Sequence, residues 1–241
     1  MTSKTAYLTI DDAPSNEFKL KVDYLLSKNI STVFFCRGEL IKERPEDVIY
    51  AIKKGFVIGN HSYNHPHFSR LSNKECFEQI ENTDRIIDDV YKKSGIARPI
   101  KLFRFPYGDK GGGDSFKNPW FGGDKNHVSS IQDFLRKLGY RQPKLEGINY
   151  DWYKKARLAE DADVLWTYDT YDWRLYRGLD KLEDIMDKME QNLPDEFKGL
   201  NFSGSRDIIL MHDHPGSMDY FKIIIDRLLE KKIKFILPKF N

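Results

Sequence analysis

Short apolar runs of strand length recur along the chain at residues 6–10, 32–36, 56–58, 100–103, 164–166, 208–211 and 234–237. Between them, apolar side chains fall at helical spacing. Residues 15–28 carry Phe18, Val22, Leu25 and Leu26 on one face, and residues 45–54 open on Pro45 and close on Gly55, as a helix should. Ser72, followed by Glu75 three residues later, has the form of a capping box. The helix it opens carries Cys76, Phe77, Ile80, Ile87 and Val90 and stops at Gly95. The segment Asp180-Lys181-Leu182-Glu183 resembles that cap and leads into Leu182, Ile185, Met186 and Met189. A last helix is expected over residues 218–230, with Phe221, Ile224, Ile225, Leu228 and Leu229 turned inward. Strand and helix thus alternate about seven times, which predicts an α/β fold whose parallel sheet is covered by helices, either a barrel or an open doubly wound sheet.

Two stretches interrupt the alternation. Residues 108–126 hold Gly111, Gly112, Gly113, Gly122 and Gly123 beside Trp120 and Phe121, and residues 141–163 carry Tyr150, Trp152 and Tyr153. Connections this long within a compact domain usually serve function. Residues 153–160 contain no helix breaker and read as partly helical. No internal repeat or linker divides the chain, so residues 1–241 are expected to form one domain.

Composition narrows the function classes. The 241 residues include 39 Lys and Arg against 37 Asp and Glu, with no basic run of the kind that grips nucleic acid. The longest uninterrupted apolar stretches are far too short to span a membrane. With two cysteines, Cys36 and Cys76, and no signal-peptide core ahead of residue 6, the expected setting is reducing and cytoplasmic.

The reactive side chains cluster at the ends of the strand-like runs. Asp11 and Asp12 follow the first, His61 and His65 the third, Arg104 the fourth, Asp169 and Asp172 the fifth, and His212 the sixth. In a parallel barrel those ends converge on one face. His61 and His65, four apart, would both reach one metal across a helical turn, or they are ordinary histidines beside Pro66. Asp11-Asp12 reads either as a pair of turn acids or as a metal ligand beside a general base. Asp12, His61 and His65 together would make a three-ligand site with an open position. Arg104 suits either a structural ion pair or the orientation of a carboxylate such as Asp11. His212 suits a general acid, held by Asp172 or by Asp213. His67, His127 and His214 read as surface or loop histidines.

Thr9-Ile10-Asp11-Asp12-Ala13-Pro14, His61-Ser62-Tyr63-Asn64-His65-Pro66, Arg104-Phe105-Pro106-Tyr107-Gly108, Asp169-Thr170-Tyr171-Asp172-Trp173 and Leu210-Met211-His212 resemble, in order, the five motifs of the polysaccharide deacetylases, carbohydrate esterase family 4. The resemblance implies a distorted (β/α)7-type barrel and a divalent metal on Asp12, His61 and His65, with zinc named first and cobalt, nickel or iron as alternatives. It makes Asp11 the general base and His212 the general acid, with Arg104 holding Asp11 and Asp172 tuning His212. The backbone N–H of Tyr107 would help to stabilise the oxyanion, and Trp173 and Leu210 would wall the acetyl pocket. The implied activity is metal-dependent removal of N-acetyl groups from N-acetylhexosamine units of an oligo- or polysaccharide. An O-acetyl esterase, a non-sugar amide hydrolase and a catalytically silent glycan-binding relative are the alternatives. An acetylated glycan is the expected partner, with no nucleic acid and no membrane insertion.

This chain departs from the family pattern at Ile10 and Ala13, where Phe and Gly are more usual, and at residues 141–163, which read as an insertion. Together with residues 108–126, that insertion would form a rim or lid over the barrel mouth, or its aromatic side chains would pack it onto the barrel.

Overall fold

The computed structural model describes residues 4–112 and 124–240. Among the described residues, six parallel strands, β1 (Lys4–Ala13), β2 (Val33–Cys36), β3 (Val57–Asn60), β4 (Tyr168–Asp169), β5 (Asp207–His212) and β6 (Ile233–Phe235), form one sheet in the order β3-β2-β1-β5-β4, with β6 also paired to β1. The helices are α1 (Phe18–Ser27), α2 (Gly38–Glu43), α3 (Pro45–Lys53), α4 (Asn73–Ser94), α5 (Lys125–Lys137), α6 (Asp151–Lys155), α7 (Asp172–Tyr176), α8 (Leu182–Glu190) and α9 (Met218–Glu230).

The sheet closes on itself through isolated contacts. Residues 100–103, expected as a full strand, form only single-residue bridges: Phe103 pairs with Asn60 on one side and Asp163 on the other, and Lys101 pairs with Tyr140. Hydrogen bonds from Asn60 N to Leu102 O (2.8 Å), Arg104 N to Asn60 O (3.0 Å) and Val164 N to Phe103 O (2.8 Å) carry the closure. The fifth run is likewise displaced, its regular pairing beginning at Tyr168 rather than within 164–166. The result is a distorted barrel.

Alternation along the strands sorts the side chains into two cores. Leu8, Ile10, Phe34, Ile58, Ile209 and Met211 point outward and pack beneath α1, α3, α4 and α9. Tyr7, Val33, Phe35, Val57 and Ile208 point inward, where they meet Tyr150, Tyr153 and Leu158. The Tyr150 hydroxyl donates to Asp207 Oδ1 (2.5 Å) at the start of β5, and the Tyr7 hydroxyl donates to Glu146 O (3.0 Å). Residues 141–163 therefore plug the N-terminal end of the barrel, away from the mouth where a rim or lid would lie. Part of this stretch is helical, as α6 and a short turn at Leu158–Glu160. Trp152 packs against Phe197 and donates to Pro194 O, so these aromatics serve packing.

Local rules explain the helix ends. Ser72 and Glu75 form a reciprocal capping box, and Gly95 closes α4 with φ of 76°. The second expected cap is different. Asp184 Oδ2 accepts from Lys181 N (2.7 Å), whereas Asp180 is drawn away to Arg174 and Lys188. Both cysteines are buried and free. Among the described residues, no helix is long and apolar enough to cross a membrane.

Asp84 ties α4 to the barrel's weakest seam. It accepts from Arg98 (2.7 Å), Lys101 (2.6 Å) and the Tyr140 hydroxyl (2.7 Å). Burial opposes its ionisation, but Lys101, Arg98 and Tyr140 outweigh that penalty and hold its carboxyl below the usual 3.8. A carboxyl depressed on folding stabilises the protein above its unfolded value and loses that contribution as pH falls through its folded value. Asp84→Asn should lower stability by about 1–3 kcal/mol at pH 7. In urea titrations the deficit should shrink as pH drops below about 4. A deficit independent of pH would mean that packing, not charge, carries the contact.

Candidate active site

The chemistry of the mouth begins with a fault in β1. Its register with β2 shifts between Ile10 and Ala13, and Asp12 takes a left-handed backbone with φ of 63°. Such an irregularity re-aims side chains at a strand end. Here it presents Asp11 and Asp12 to the same cleft.

Asp11 is held from behind. Arg104, almost wholly buried, donates from Nη1 to Asp11 Oδ1 (2.8 Å) and Thr9 Oγ1 (2.7 Å), and from Nε to Val164 O (2.9 Å). Its guanidinium lies over the Phe35 ring, 4.3 Å from the centroid. The charge-assisted bond to a fixed guanidinium orients the carboxylate.

His61 and His65 do not sit on a helical turn. Ser62 and His65 are both left-handed (φ 64° and 62°), and side chains pin the turn. Asn60 Oδ1 accepts from Ser62 N, Ser62 Oγ from His65 N, and Gln79 Oε1 from Tyr63 N and Asn64 N. Strained conformations of this kind cost about 1–3 kcal/mol each and persist only where surroundings fix them.

The residues present suit a cation. His61 Nδ1 lies 2.8 Å from Arg104 O, a contact only an N–H can satisfy, so in the neutral ring the lone pair is on Nε2. That Nε2 is 3.9 Å from Asp12 Oδ1, and His65 Nε2 is 3.3 Å from the same oxygen. Asp12 Oδ1 is buried with no hydrogen-bond partner among the described residues. One donor atom from each of Asp12, His61 and His65 lies within 4.8 Å of the others. Burial pushes the His65 imidazole down to about 3, despite the attraction of Asp12. Burial opposes charge on Asp12 as well, yet His65 and His61 hold its carboxyl far below the usual range. A carboxylate facing the neutral His65 imidazole is the donor state a divalent metal requires.

Across the cleft, His212 Nδ1 is 2.8 Å from Asp172 Oδ1, and Asp172 Oδ2 accepts from the His212 main-chain N–H (2.7 Å). Burial alone would lower the imidazole, but Asp172, with Asp12 and Asp11 beyond, raises it to about 10. Asp213, the other acid the sequence offered, is engaged elsewhere. It pairs with fully buried Lys21 (2.5 Å) and accepts from Ser15 N and Oγ (2.7 Å each), locking the loop after β1 to the end of β5.

The cleft encloses about 720 Å³ and is also lined by Tyr107, Trp173 and Leu210. Tyr107 is left-handed (φ 58°), with its ring stacked on His67 at 3.9 Å. Trp120, Phe121, Gly113, Gly122 and Gly123 lie outside the described residues. Two residues at the site were given no chemical role by the sequence. Asp169 accepts from Trp173 Nε1 (3.3 Å), and burial pushes its carboxyl up to about 6. His214, read as a surface or loop residue, lines the cleft beside His212. Its place two positions after His212, just past the end of β5, was the available signal.

A polysaccharide deacetylase family model matches residues 1–113. Over that stretch the chain is similar to the polysaccharide deacetylases. It is 28% identical over 235 residues to a peptidoglycan-N-acetylglucosamine deacetylase of Bacillus cereus, covering 95% of this chain and 65% of that protein. A family 4 carbohydrate esterase from Streptomyces lividans, solved with acetate, superposes with a TM-score of 0.63 at 21% identity, covering 98% of each chain. The peptidoglycan deacetylase PdaC of Bacillus subtilis superposes with a TM-score of 0.60 at 25% identity, covering 98% of this chain and 88% of that one. The chain thus spans slightly less than two thirds of its Bacillus cereus relative.

If Asp12, His61 and His65 hold a divalent metal, calorimetric titration with Zn(II) or Co(II) should show one tight site. His65→Ala should weaken it by more than about tenfold, since loss of even an outer partner of a ligand costs that much. Wild-type affinity in His65→Ala would remove this residue from the ligand set.

Proposed function

We propose that this protein belongs to the polysaccharide deacetylases and removes N-acetyl groups from N-acetylhexosamine units of an oligo- or polysaccharide. The observation that carries the reading is one cleft holding two separately supported proton-transfer groups around a cation-ready triad. Asp11 is braced by Arg104 and His212 by Asp172, on either side of Asp12, His61 and His65. The deacetylase activities named for the relatives agree with it.

In this reading Asp11 accepts a proton from the attacking water, its carboxylate kept in place by the guanidinium behind it. His212, protonated at neutral pH, gives its proton to the departing sugar nitrogen, so acetate and a free amine result. A divalent metal on Asp12, His61 and His65 would polarise the acetyl carbonyl and acidify water. The Tyr107 main-chain N–H would donate to the developing oxyanion, and Trp173 and Leu210 would confine the acetyl methyl. A catalytically silent relative would have no need to keep Asp11 and His212 each buttressed by a buried partner. Removal of O-acetyl groups or cleavage of another amide would use the same groups, so substrate comparison decides among them.

The test is acetate release by the metal-loaded protein from N-acetylated oligosaccharides and from O-acetylated xylan. Release from the amino sugars is expected, and Asp11→Asn should lower kcat by about 10²–10⁴-fold while metal binding persists. Release from xylan alone, or undiminished release by Asp11→Asn, would overturn the assignment.

The pH profile tests the acid. His212 must be protonated to act, so activity falls above its pKa, which Asp172 raises. Asp172→Asn should therefore move the alkaline limb of the kcat profile to lower pH. An unmoved limb would assign that titration to another group.

A further inference from the structure

His214 is a partly buried imidazole to which the mechanism above gives no part. Its ring lies parallel to that of His212, with centroids 5.1 Å apart and an interplanar angle of 4°. On its other side Tyr176 stacks at 4.1 Å and 13°. His214 Nε2 is buried and has no hydrogen-bond partner among the described residues. An unpartnered ring nitrogen is costly, so the ring's contribution lies in its face and not in its polar atom. Its backbone is immobilised as well, because His214 O accepts from Lys21 Nζ (2.8 Å) and Ser217 Oγ (2.6 Å).

The two outer members of this arrangement come from one helical turn. Asp172 opens α7 and Tyr176 closes it, at i and i+4, a spacing that places both on one face. Asp172 grips His212 at its edge through Nδ1, and Tyr176 presses His214 against His212 from the side. The hydrogen bond fixes where the His212 ring is anchored but leaves rotation about that bond open. A flat, fixed neighbour removes the rotation.

We propose that His214 and Tyr176 are positioning residues that fix the plane of the His212 imidazole, so that its Nε2 faces the cleft. The proposal rests on the role given to His212 in the deacetylase reading, and it extends the machinery from a His–Asp pair to a stacked assembly of Asp172, His212, His214 and Tyr176. Tyr176 is half exposed, so its removal tests the stack with little risk to folding.

Two measurements on the full metal-loaded chain decide it. His214→Ala should lower kcat on the best acetylated oligosaccharide by about tenfold with KM nearly unchanged, as expected for a misaligned proton donor. His214→Phe, which restores a flat ring without the nitrogens, should return kcat to within about threefold of wild type, and Tyr176→Ala should fall between the two. Independently of turnover, the His212 Nδ1–H proton should give a slowly exchanging NMR resonance in the zinc-loaded wild type and in His214→Phe. In His214→Ala it should broaden or vanish. Unchanged kcat and resonance in His214→Ala would overturn the proposal. So would a His214→Phe variant as impaired as His214→Ala, which would place a ring nitrogen on the substrate instead. If no substrate yields acetate, the deacetylase reading fails, and the resonance still decides whether the stack holds His212.

Discussion

Arg104 is the residue on which the mouth of the barrel depends. Its side chain joins Thr9 and Asp11 of β1 to the carbonyl of Val164, while its main-chain N–H reaches Asn60 at the end of β3. Its own carbonyl sits on His61 Nδ1. One residue therefore braces the seam where regular pairing gives way to single bridges, orients a carboxylate and fixes an imidazole tautomer. A guanidinium this deeply buried would be unaffordable without those partners, because desolvating an unpaired charge costs several kcal/mol. Its burial and the geometry of Asp11 are consequently one constraint, and neither can relax without the other.

That constraint fits a wider division of charge. On one side of the cleft, burial keeps His65 neutral beside an ionised Asp12. On the other, Asp172 keeps His212 protonated, and burial with the His212 charge pushes His214 down to about 4. Identical side chains are thus held in opposite states within one cavity by their surroundings, the difference that the proposed metal-ligating and proton-donating roles call for. The left-handed residues Asp12, Ser62, His65 and Tyr107 gather at the same place. Strain concentrated there is what a rigid barrel can impose on short connecting turns.

Much of this was legible in the sequence because it follows from period and punctuation. Apolar runs marked β1, β2, β3, β5 and β6, and the polar groups released at strand ends converge as parallel topology requires. The rest depended on long-range partners. Residues 100–103 have the apolar pattern of a strand, but the barrel closes there through single contacts, so the pattern marks burial more faithfully than pairing. Asp180 looked like a helix cap, but Arg174 before it and Lys188 on the helix after it engage its carboxylate instead, neighbours whose side-chain reach the capping pattern does not encode. The turn joining His61 to His65 is set by Asn60 and Gln79, and His61–His65 spacing alone cannot announce that Gln79 is there.

The plug of residues 141–163 shows why the two ends of the barrel differ. Inward-facing Tyr7, Val33 and Phe35 leave an apolar bore that must be filled or hydrated, and Tyr150 and Tyr153 fill it from the N-terminal end. The Tyr150 hydroxyl then finds Asp207, itself paired with Lys4 at 2.5 Å, whereas the buried Tyr153 hydroxyl has no hydrogen-bond partner among the described residues. Farther along the same inward rows, Thr9 and Asp11 on β1 and His212 on β5 are polar. Sealing one end with aromatic side chains lets the other end gather charge without a continuous water path through the core. Low dielectric beneath the mouth strengthens each interaction there, including the Arg104–Asp11 and Asp172–His212 pairs. Residues 141–163 therefore bear on the mouth from behind, through the medium in which those pairs sit.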